Sequence, residues 1–233
     1  MPADVAQLSL PVHLRDDATL ENFLFPENLG PLTAALGSQL SAQGDHGIYL
    51  YGGPGSGRTH LLQAACHASP PGDALYLPLE ELLGQEPMDV LEGVEHLSRV
   101  CLDNVDRVRG NPDWEQGLFH LVNRARESGC RLLFSANCAP RQLALDLPDL
   151  QSRLAGCVVF QLPELDDAHR LEVLVFRAAR RGMSLGEDAA RYILSRAPRG
   201  LAELMALLDK LDRDSMAAQR QLTIPFIKTR LDW

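Results

Sequence analysis

A glycine-rich stretch near the end of the first quarter of the chain carries the residue types of a phosphate-binding loop. It reads Gly52-Gly53-Pro54-Gly55-Ser56-Gly57-Arg58-Thr59 and lies between the apolar run Ile48–Tyr51 and His60-Leu61-Leu62. It matches the pattern Gly-x-x-x-x-Gly-Lys-Ser/Thr at every fixed position except one, where Arg58 replaces lysine. Glycines let backbone N–H groups turn inward around a phosphate, and the positive end of the following helix adds to the attraction. We therefore expect Gly53 to His60 to bind a nucleotide phosphate, with the Thr59 hydroxyl on Mg²⁺.

A carboxylate closes another apolar run, Val100-Cys101-Leu102-Asp103. Asp103 is placed either to reach the Mg²⁺ of a bound nucleotide through water or merely to cap a strand, and the first interpretation is favoured. Many ATPases carry an acidic residue next, which orients the attacking water, but this chain has Asn104, which cannot act as a base. Asp106 would substitute only if the turn curls back. Together with Arg58, whose planar fork differs from an ammonium, Asn104 predicts a site that holds nucleotide rather than consumes it.

Length and charge restrict the class of protein. The chain has 233 residues and a net charge of −9, from 31 acidic and 22 basic residues, so broad attraction to nucleic acid is not expected. No apolar run approaches the roughly 20 residues of a membrane span, and the N-terminus lacks a signal pattern, so we expect a cytoplasmic protein without membrane contact. The five cysteines form no Cys-x-x-Cys pair, which favours buried reduced thiols over disulfides or a zinc site.

Short apolar runs alternate with helical patterns in the first two thirds of the chain. We expect strands at 48–51, 74–77, 97–103, 131–135 and 157–160, with helices over 29–40 and 114–127 and a helical region around 78–95. This alternation predicts a mainly parallel five-stranded sheet with helices on both faces and a ligand at the carboxyl ends of the strands. After Pro163 the pattern is helical only, which predicts a small helical domain.

The predicted domain organisation has three parts: an extended tail over residues 1–18, an α/β nucleotide-binding domain over 19–164 and a helical lid over 165–233. The tail lacks a helical or strand period but contains Gln7-Leu8-Ser9-Leu10-Pro11. An apolar stretch of this kind docks either on its own domain or on a partner. The residues alone leave both alternatives open.

The order of these motifs resembles the AAA+ ATPase family, in its DnaA branch, and within it the Hda group of DnaA-homologous regulators. The resemblance rests on Gly-Arg-Thr in the loop, Leu-Asp-Asn after the third strand, and the tail motif. Further matching segments are Ser135-Ala136-Asn137, Leu150–Leu154, Pro198-Arg199-Gly200-Leu201 and the stretch at 218–226. The resemblance covers nearly the whole chain and implies an AAA+ P-loop fold with a helical lid.

Several site residues follow from the resemblance. Asn137 matches the sensor-1 position, whose polar side chain faces the γ-phosphate, and Arg199 matches sensor 2, at the start of a lid helix. Arg153 matches the arginine finger, which enters the nucleotide site of a neighbouring subunit. Phe25 and Pro26, with Leu24, are implied to line the adenine pocket, although an ordinary core role explains them almost as well.

The resemblance also implies partners and a function. Gln7, Leu8, Ser9, Leu10 and Pro11 match the motif that docks on the DNA polymerase sliding clamp, its beta subunit. The implied protein binds ADP or ATP with Mg²⁺, has little intrinsic ATPase activity and stimulates ATP hydrolysis by DnaA. Direct sequence-specific DNA binding is not expected, and homo-oligomer formation stays open. The alternative is a DnaA-like ATPase or adaptor that acts on a different protein.

Overall fold

The computed structural model describes residues 14–41 and 43–233, so the predicted clamp-binding motif Gln7–Pro11 lies outside the described residues. The chain divides into two units. The first contains residues 57–162 and the described residues before Pro54, and the second contains residues 54–56 and 163–233. No helix among the described residues is long and apolar enough to cross a membrane.

The first unit is built on a five-stranded sheet. Its strands are β1 (Gly47–Tyr51), β2 (Ala74–Pro78), β3 (Arg99–Asp103), β4 (Arg131–Ala136) and β5 (Val158–Gln161). Their order is β2-β3-β4-β1-β5, and every pairing is parallel, which confirms the predicted sheet. The carboxyl ends of the strands therefore share one edge, the carboxyl edge, and their amino ends share the opposite amino edge. The loops after β1, β3 and β4 leave from neighbouring strands at the carboxyl edge.

The helices of the first unit are α1 (Gly30–Leu40), α2 (Arg58–His67), α3 (Leu79–Leu82), α4 (Pro87–Leu91), α5 (Pro112–Ser128) and α6 (Pro148–Ala155). The helical region expected around 78–95 is two short helices, and β3 begins at Arg99 rather than at residue 97. α5 begins two residues earlier than its apolar period suggests. The reason is its cap, because the Asn111 side chain accepts from the Trp114 N–H at 3.3 Å and Pro112 occupies the first turn.

Two apolar clusters cover the two faces of the sheet. Tyr49 belongs to the cluster with Trp114 and Phe134, whereas its neighbours Ile48 and Leu50 belong to the other. Successive side chains of a strand point to opposite faces, so a strand covered on both faces must be apolar throughout. This burial explains why the sequence shows uninterrupted apolar runs. All five cysteines are free thiols; three are buried, as predicted, whereas Cys138 and Cys157 are half-buried.

Residues before α1 are held on the surface of α2. The Arg15 N–H donates to Gln63 Oε1 at 3.1 Å, and the Nε2 atoms of His67 and His60 lie 3.0 Å and 2.8 Å from the carbonyl oxygens of Arg15 and Thr19. The spacing of these three α2 residues places them on one helix face. The chain is thus bound to α2 from Arg15 onward, and the tail limits 1–18 stay a prediction.

The second unit is helical, with α7 (Asp167–Arg180), α8 (Glu187–Leu194), α9 (Leu201–Ala218) and α10 (Ile224–Leu231). Leu174, Ile193 and Leu208 are fully buried in its own core. The predicted helical character is confirmed. The exact limits 19–164 and 165–233 stay predictions, since the contact division falls after Leu162 and includes the loop tip Pro54–Ser56.

A buried carboxylate fixes the start of α6. Glu115 on α5 is 1 % exposed, and its two oxygens accept from the backbone N–H groups of Gly110 at 3.1 Å and Leu147 at 2.7 Å. Leu147 is the residue before α6. Glu115 therefore joins the beginning of α5 to the beginning of α6, the helix that carries Arg153.

We expect Glu115→Ala to lower the free energy of unfolding by about 3–5 kcal/mol, because it removes two charge-assisted hydrogen bonds and leaves buried N–H groups without acceptors. Chemical denaturation measures this change. Glu127→Ala, at an exposed position of the same helix, is the control and should change stability by less than about 0.5 kcal/mol. Equal effects of the two substitutions would contradict the role given to Glu115.

Candidate functional site

The glycine-rich loop has the backbone geometry that its sequence predicts. Gly55 and Gly57 have φ values of +77° and +91°, in the left-handed region that side chains with a Cβ disfavour. The Gly52 N–H donates to the Ala136 carbonyl at 3.4 Å, which ties the start of the loop to the end of β4. α2 begins immediately afterwards at Arg58, so its positive end faces the loop.

A second requirement acts on Gly57. A Cβ at this position would lie 2.5 Å from the Phe23 ring. Phe23 also lies against Phe25, with ring centroids 4.6 Å apart, and against His60 at 5.7 Å. Phe25 and His60 are among the site residues predicted from the sequence, whereas Phe23, which contacts both of them and Gly57, was not predicted. The pair Phe23-x-Phe25, in a chain with only seven phenylalanines, was the available signal.

The predicted adenine-pocket residues Phe25 and Pro26 are half-buried beside this aromatic group. The His60 Nε2 atom lies 2.8 Å from the Thr19 carbonyl oxygen. This contact joins α2 to the segment before α1. The nucleotide roles of Phe25, Pro26 and His60 stay predictions.

Two buried polar atoms of the loop fit an anionic ligand. Ser56 Oγ and Arg58 Nη1 are both inaccessible to solvent, and neither has a hydrogen-bond partner among the described residues. A buried guanidinium nitrogen without an acceptor is costly, and phosphate oxygens are the acceptors that match its geometry. These unpartnered donors therefore fit the phosphates of a nucleotide, and the phosphate-binding role of Arg58 stays a prediction.

The loop after β4 contains Cys138, which directly follows Asn137, the predicted sensor-1 residue. Burial, and after it the Asp106 carboxylate, raises the pKa of the Cys138 thiol, and the positive charges of Arg109 and Arg58 oppose that rise.

The Asp103 side chain at the end of β3 accepts hydrogen bonds from three other elements. Its Oδ2 accepts from the Thr59 hydroxyl of α2 and from the Tyr76 hydroxyl of β2, both at 2.7 Å, and its Oδ1 accepts from the Ser135 hydroxyl of β4. The carboxylate is only 1 % exposed. Burial, and then the adjacent Asp103 charge, raises the pKa of the Tyr76 phenol above its usual value, so the phenol remains a donor. Tyr76 and Ser135 were not identified from the sequence.

The Asp103 arrangement fits a metal bound mainly by nucleotide. Mg²⁺ takes one or two protein oxygens and completes its shell with phosphate and water. Thr59 is exposed beside the loop, and its hydroxyl donates to Asp103. Because Asp103 already accepts three hydrogen bonds, we expect a water molecule between its carboxylate and the metal. Among the described residues there is no group of three or more histidine, cysteine or acidic side chains that would bind a metal without nucleotide.

The turn after β3 does curl back. Asn104 has φ +60° and ψ +52°, and its N–H donates to Ser135 Oγ at 3.0 Å. This left-handed residue turns the chain so that Asp106 Oδ1 accepts from the Asn137 N–H at 3.1 Å. Asp106 therefore reaches the site, but it supports the backbone of the sensor-1 loop. Its Oδ2 lies 3.9 Å from Arg107 Nε, the distance of a long ion pair.

Arg199, the predicted sensor-2 residue, lies before α9 in the second unit. It lines a cavity of about 490 Å³ together with Gly55, Arg170 and Leu201, all of which belong to that unit. Leu201 is the closest neighbour of Gly55, where a Cβ would lie 3.5 Å away. The tip of the glycine-rich loop and Arg199 therefore face one cavity.

Arg153, the predicted arginine finger, is not part of this site. It is exposed on α6, while Leu150 and Leu154 of the same helix are buried at 0 % and 1 % exposure. It lines a cavity of about 680 Å³ whose wall includes Gly47 and Val158, the first residues of β1 and β5. Arg153 thus lies at the amino edge, and the glycine-rich loop leaves the sheet from the carboxyl edge.

Comparisons with known proteins agree with this architecture. Residues 167–231 match the family model described as the lid domain of Hda. The chain is similar to domain III of the replication initiation protein DnaA from Thermotoga maritima, at 22 % identity and a TM-score of 0.77, over 95 % of this chain and 98 % of that one. It is similar to AMPPCP-bound DnaA from Aquifex aeolicus, at 20 % identity and a TM-score of 0.72, over 89 % and 68 % of the two chains.

A more distant similarity is to the Holliday junction branch migration motor RuvB of Thermotoga maritima, at 16 % identity and a TM-score of 0.67, over 92 % and 71 % of the two chains. The fold predicted from the sequence, an AAA+ P-loop α/β fold with a helical lid, is confirmed by these similarities.

We expect Arg58→Met to keep or raise the unfolding temperature without ligand, because it removes a buried unpaired nitrogen. The same variant should bind Mg²⁺–ADP about 10-fold to 100-fold more weakly, as expected for a lost hydrogen bond between charged groups. Thermal unfolding with and without Mg²⁺–ADP measures both effects. Arg141→Met, at an exposed position, is the control. An Arg58 variant stabilised by ADP as strongly as the parent protein would contradict the phosphate site.

Proposed function

We propose that this chain, an Hda-like AAA+ protein with the fold of the DnaA nucleotide-binding domain, regulates replication initiation by inactivating DnaA. It binds an adenine nucleotide, in the resting state ADP. It docks on the DNA-loaded sliding clamp through Gln7–Pro11 and presents Arg153 to ATP-bound DnaA, which then hydrolyses its own ATP. The match of its helical unit to the Hda lid model supports this choice among DnaA-like functions.

Nucleotide binding is supported by the loop and by a structural neighbour. DnaA from Aquifex aeolicus has been solved with AMPPCP, and the present loop offers Ser56 and Arg58 as buried groups without partners. In the proposed complex these two groups would hold the phosphates, and Asn137 and Arg199 would approach the terminal phosphate. Thr59 would bind Mg²⁺ directly, and Asp103 would bind it through water. The metal, when bound, neutralises phosphate charge.

The residues after β3 support slow ATP hydrolysis by this protein. Hydrolysis needs a group that orients or deprotonates the attacking water. Asn104 cannot act as a base, and Asp106 already accepts the Asn137 N–H. Since Asn104 cannot act as a base and Asp106 supports the sensor-1 loop, we propose that the site keeps its nucleotide as a structural ligand.

The placement of Arg153 is the single observation that carries the regulatory function. Leu150 and Leu154 anchor α6 in the core, and Arg153 is exposed between them. β1 has five residues, so roughly 15 Å of strand separates the amino edge from the glycine-rich loop. An arginine at the amino edge is therefore remote from the loop of its own chain and accessible to a partner.

An arginine supplied in trans has a defined chemical effect. Its guanidinium stabilises the charge that develops on the phosphoryl group in the transition state, and such a contact is worth about 10³–10⁵ in rate. DnaA supplies the nucleotide, the metal and the water in this scheme. The present chain supplies only the Arg153 guanidinium, which acts in the transition state. It therefore needs no catalytic base of its own.

In the proposed function, the tail binds the protein to the sliding clamp. Gln7 would form amide hydrogen bonds at the rim of the clamp pocket, Leu8 and Leu10 would fill apolar space, and Pro11 would reduce the entropy lost on docking. In this proposal, docking brings the protein to DNA that carries a loaded clamp.

The proposed function is tested by hydrolysis of labelled ATP bound to DnaA, in the presence of this protein and of clamp either loaded on DNA or omitted. We expect the DnaA-bound ATP to become ADP rapidly only when the protein, clamp and DNA are all present. Unchanged hydrolysis with the complete mixture would favour the alternative, a DnaA-like adaptor for a different partner.

A second prediction concerns intrinsic turnover. The isolated protein should bind ADP at least as tightly as ATP and should hydrolyse ATP far more slowly than roughly 1 s⁻¹, the low end of ordinary enzymes. Isothermal titration and a single-turnover assay measure the two quantities. Turnover near 1 s⁻¹ would show that another residue does the work of the missing base.

A third prediction concerns the tail. Replacing Gln7, Leu8 and Leu10 by alanine should abolish clamp binding, measured by surface binding, and leave ADP affinity unchanged. The Asp16→Ala variant, at an exposed position outside the motif, is the control. Equal clamp affinity of the triple variant and the parent would indicate that the tail docks on its own domain.

A further inference from the structure

A buried arginine in the helical unit contacts the turn that carries Arg199. Arg170, in the first turns of α7, is 9 % exposed. Its Nη2 donates to the carbonyl oxygens of Pro198, at 3.3 Å, and of Arg199. Its Nη1 lies 3.7 Å from Asp167, which is 88 % exposed. The strongest contacts of this guanidinium are therefore with two successive backbone carbonyls.

These contacts restrain the backbone before α9. Burying a guanidinium is costly unless its N–H groups find acceptors, and an apolar side chain would fill the same space without that cost. An apolar side chain would, however, leave the Pro198 and Arg199 carbonyls without this donor. Because one nitrogen binds both oxygens, the orientations of two consecutive peptide groups are fixed relative to α7.

The restrained turn carries Arg199, whose side-chain direction decides whether its guanidinium can reach a phosphate. The Arg199 side chain is exposed and borders the cavity that Gly55 and Leu201 also line. A guanidinium that approaches phosphate must be aimed within narrow limits, since its donors form a planar fork. Arg170 itself lines the same cavity, but its Nη2 donates to the Pro198 and Arg199 carbonyls.

We infer that Arg170 is a positioning residue for Arg199: it fixes the Pro198–Arg199 turn so that the Arg199 guanidinium is aimed at the phosphates of the bound nucleotide. This inference rests on the proposed nucleotide-binding function. Arg170 acts through Arg199 and makes no phosphate contact of its own.

The test is a double-mutant cycle on the full chain, with Arg170→Met, Arg199→Met and the double variant. Titration calorimetry measures the dissociation constants of ADP and of adenosine, which lacks phosphate. We expect each single variant to bind ADP roughly tenfold or more weakly, as for a lost hydrogen bond to a charged group, and to bind adenosine as the parent does. The double variant should match Arg199→Met within about twofold, because residues that act through one contact are not additive.

Two further variants separate positioning from general stability. Arg170→Lys keeps one donor to the turn and should recover part of the ADP affinity. Arg181→Met is the matched control, because Arg181 follows α7, is largely buried and pairs with Asp209 on α9, far from the start of that helix. It should lower the unfolding temperature without changing the preference for ADP over adenosine. If Arg170→Met does not fold, the cycle is run with Arg170→Lys.

The outcomes distinguish the inference from the function on which it rests. Additive losses in the double variant, or a loss of adenosine affinity in the Arg170 variant, would overturn the positioning role and leave Arg199 as a phosphate contact. An Arg199→Met variant with unchanged ADP affinity would overturn the proposed role of Arg199 itself, and the inference with it.

Discussion

The hydrogen bonds to the buried Asp103 carboxylate are the interaction on which the nucleotide-facing part of the structure depends. Its donors are Thr59 from the helix after the glycine-rich loop, Tyr76 from one neighbouring strand and Ser135 from the other. A carboxylate with almost no exposure is stable only when its oxygens are satisfied. Meeting that requirement fixes the start of α2 relative to three strands, and Ser135 passes the restraint on to Asn104.

In the proposed function, the parallel sheet separates nucleotide binding from the action on a partner. Its carboxyl edge holds the glycine-rich loop, Asp103 and Asn137, and its amino edge holds Arg153. Because α6 must pack Leu150 and Leu154 into the core, the exposed Arg153 is directed outward, away from the loop of its own chain. A protein with this arrangement can keep its own nucleotide and still offer a cation to another, so the lack of a base at Asn104 weakens neither task.

The sequence could predict the features that neighbouring residues determine, but not those that depend on contacts between distant segments. The loop was predictable because glycines at positions with positive φ leave a pattern, and the strands because burial on both faces forces apolar runs. Tyr76, Ser135 and Phe23 were missed, since their roles depend on strand register and on a chain segment that crosses α2. Asp106 was left open for the same reason: only the left-handed Asn104 shows that the turn returns to Asn137. Arg153 and Arg199 were reached through family resemblance and not through their own spacing.

The central claim, that Arg153 acts on a partner and not on its own site, is tested most directly by Arg153→Ala in the hydrolysis assay with DnaA-bound ATP and clamp on DNA. The account predicts that stimulation of DnaA falls by about 10³-fold or more, while ADP affinity, clamp binding and unfolding temperature equal those of the parent. Normal stimulation by the variant, or a loss of its own ADP affinity, would contradict the account.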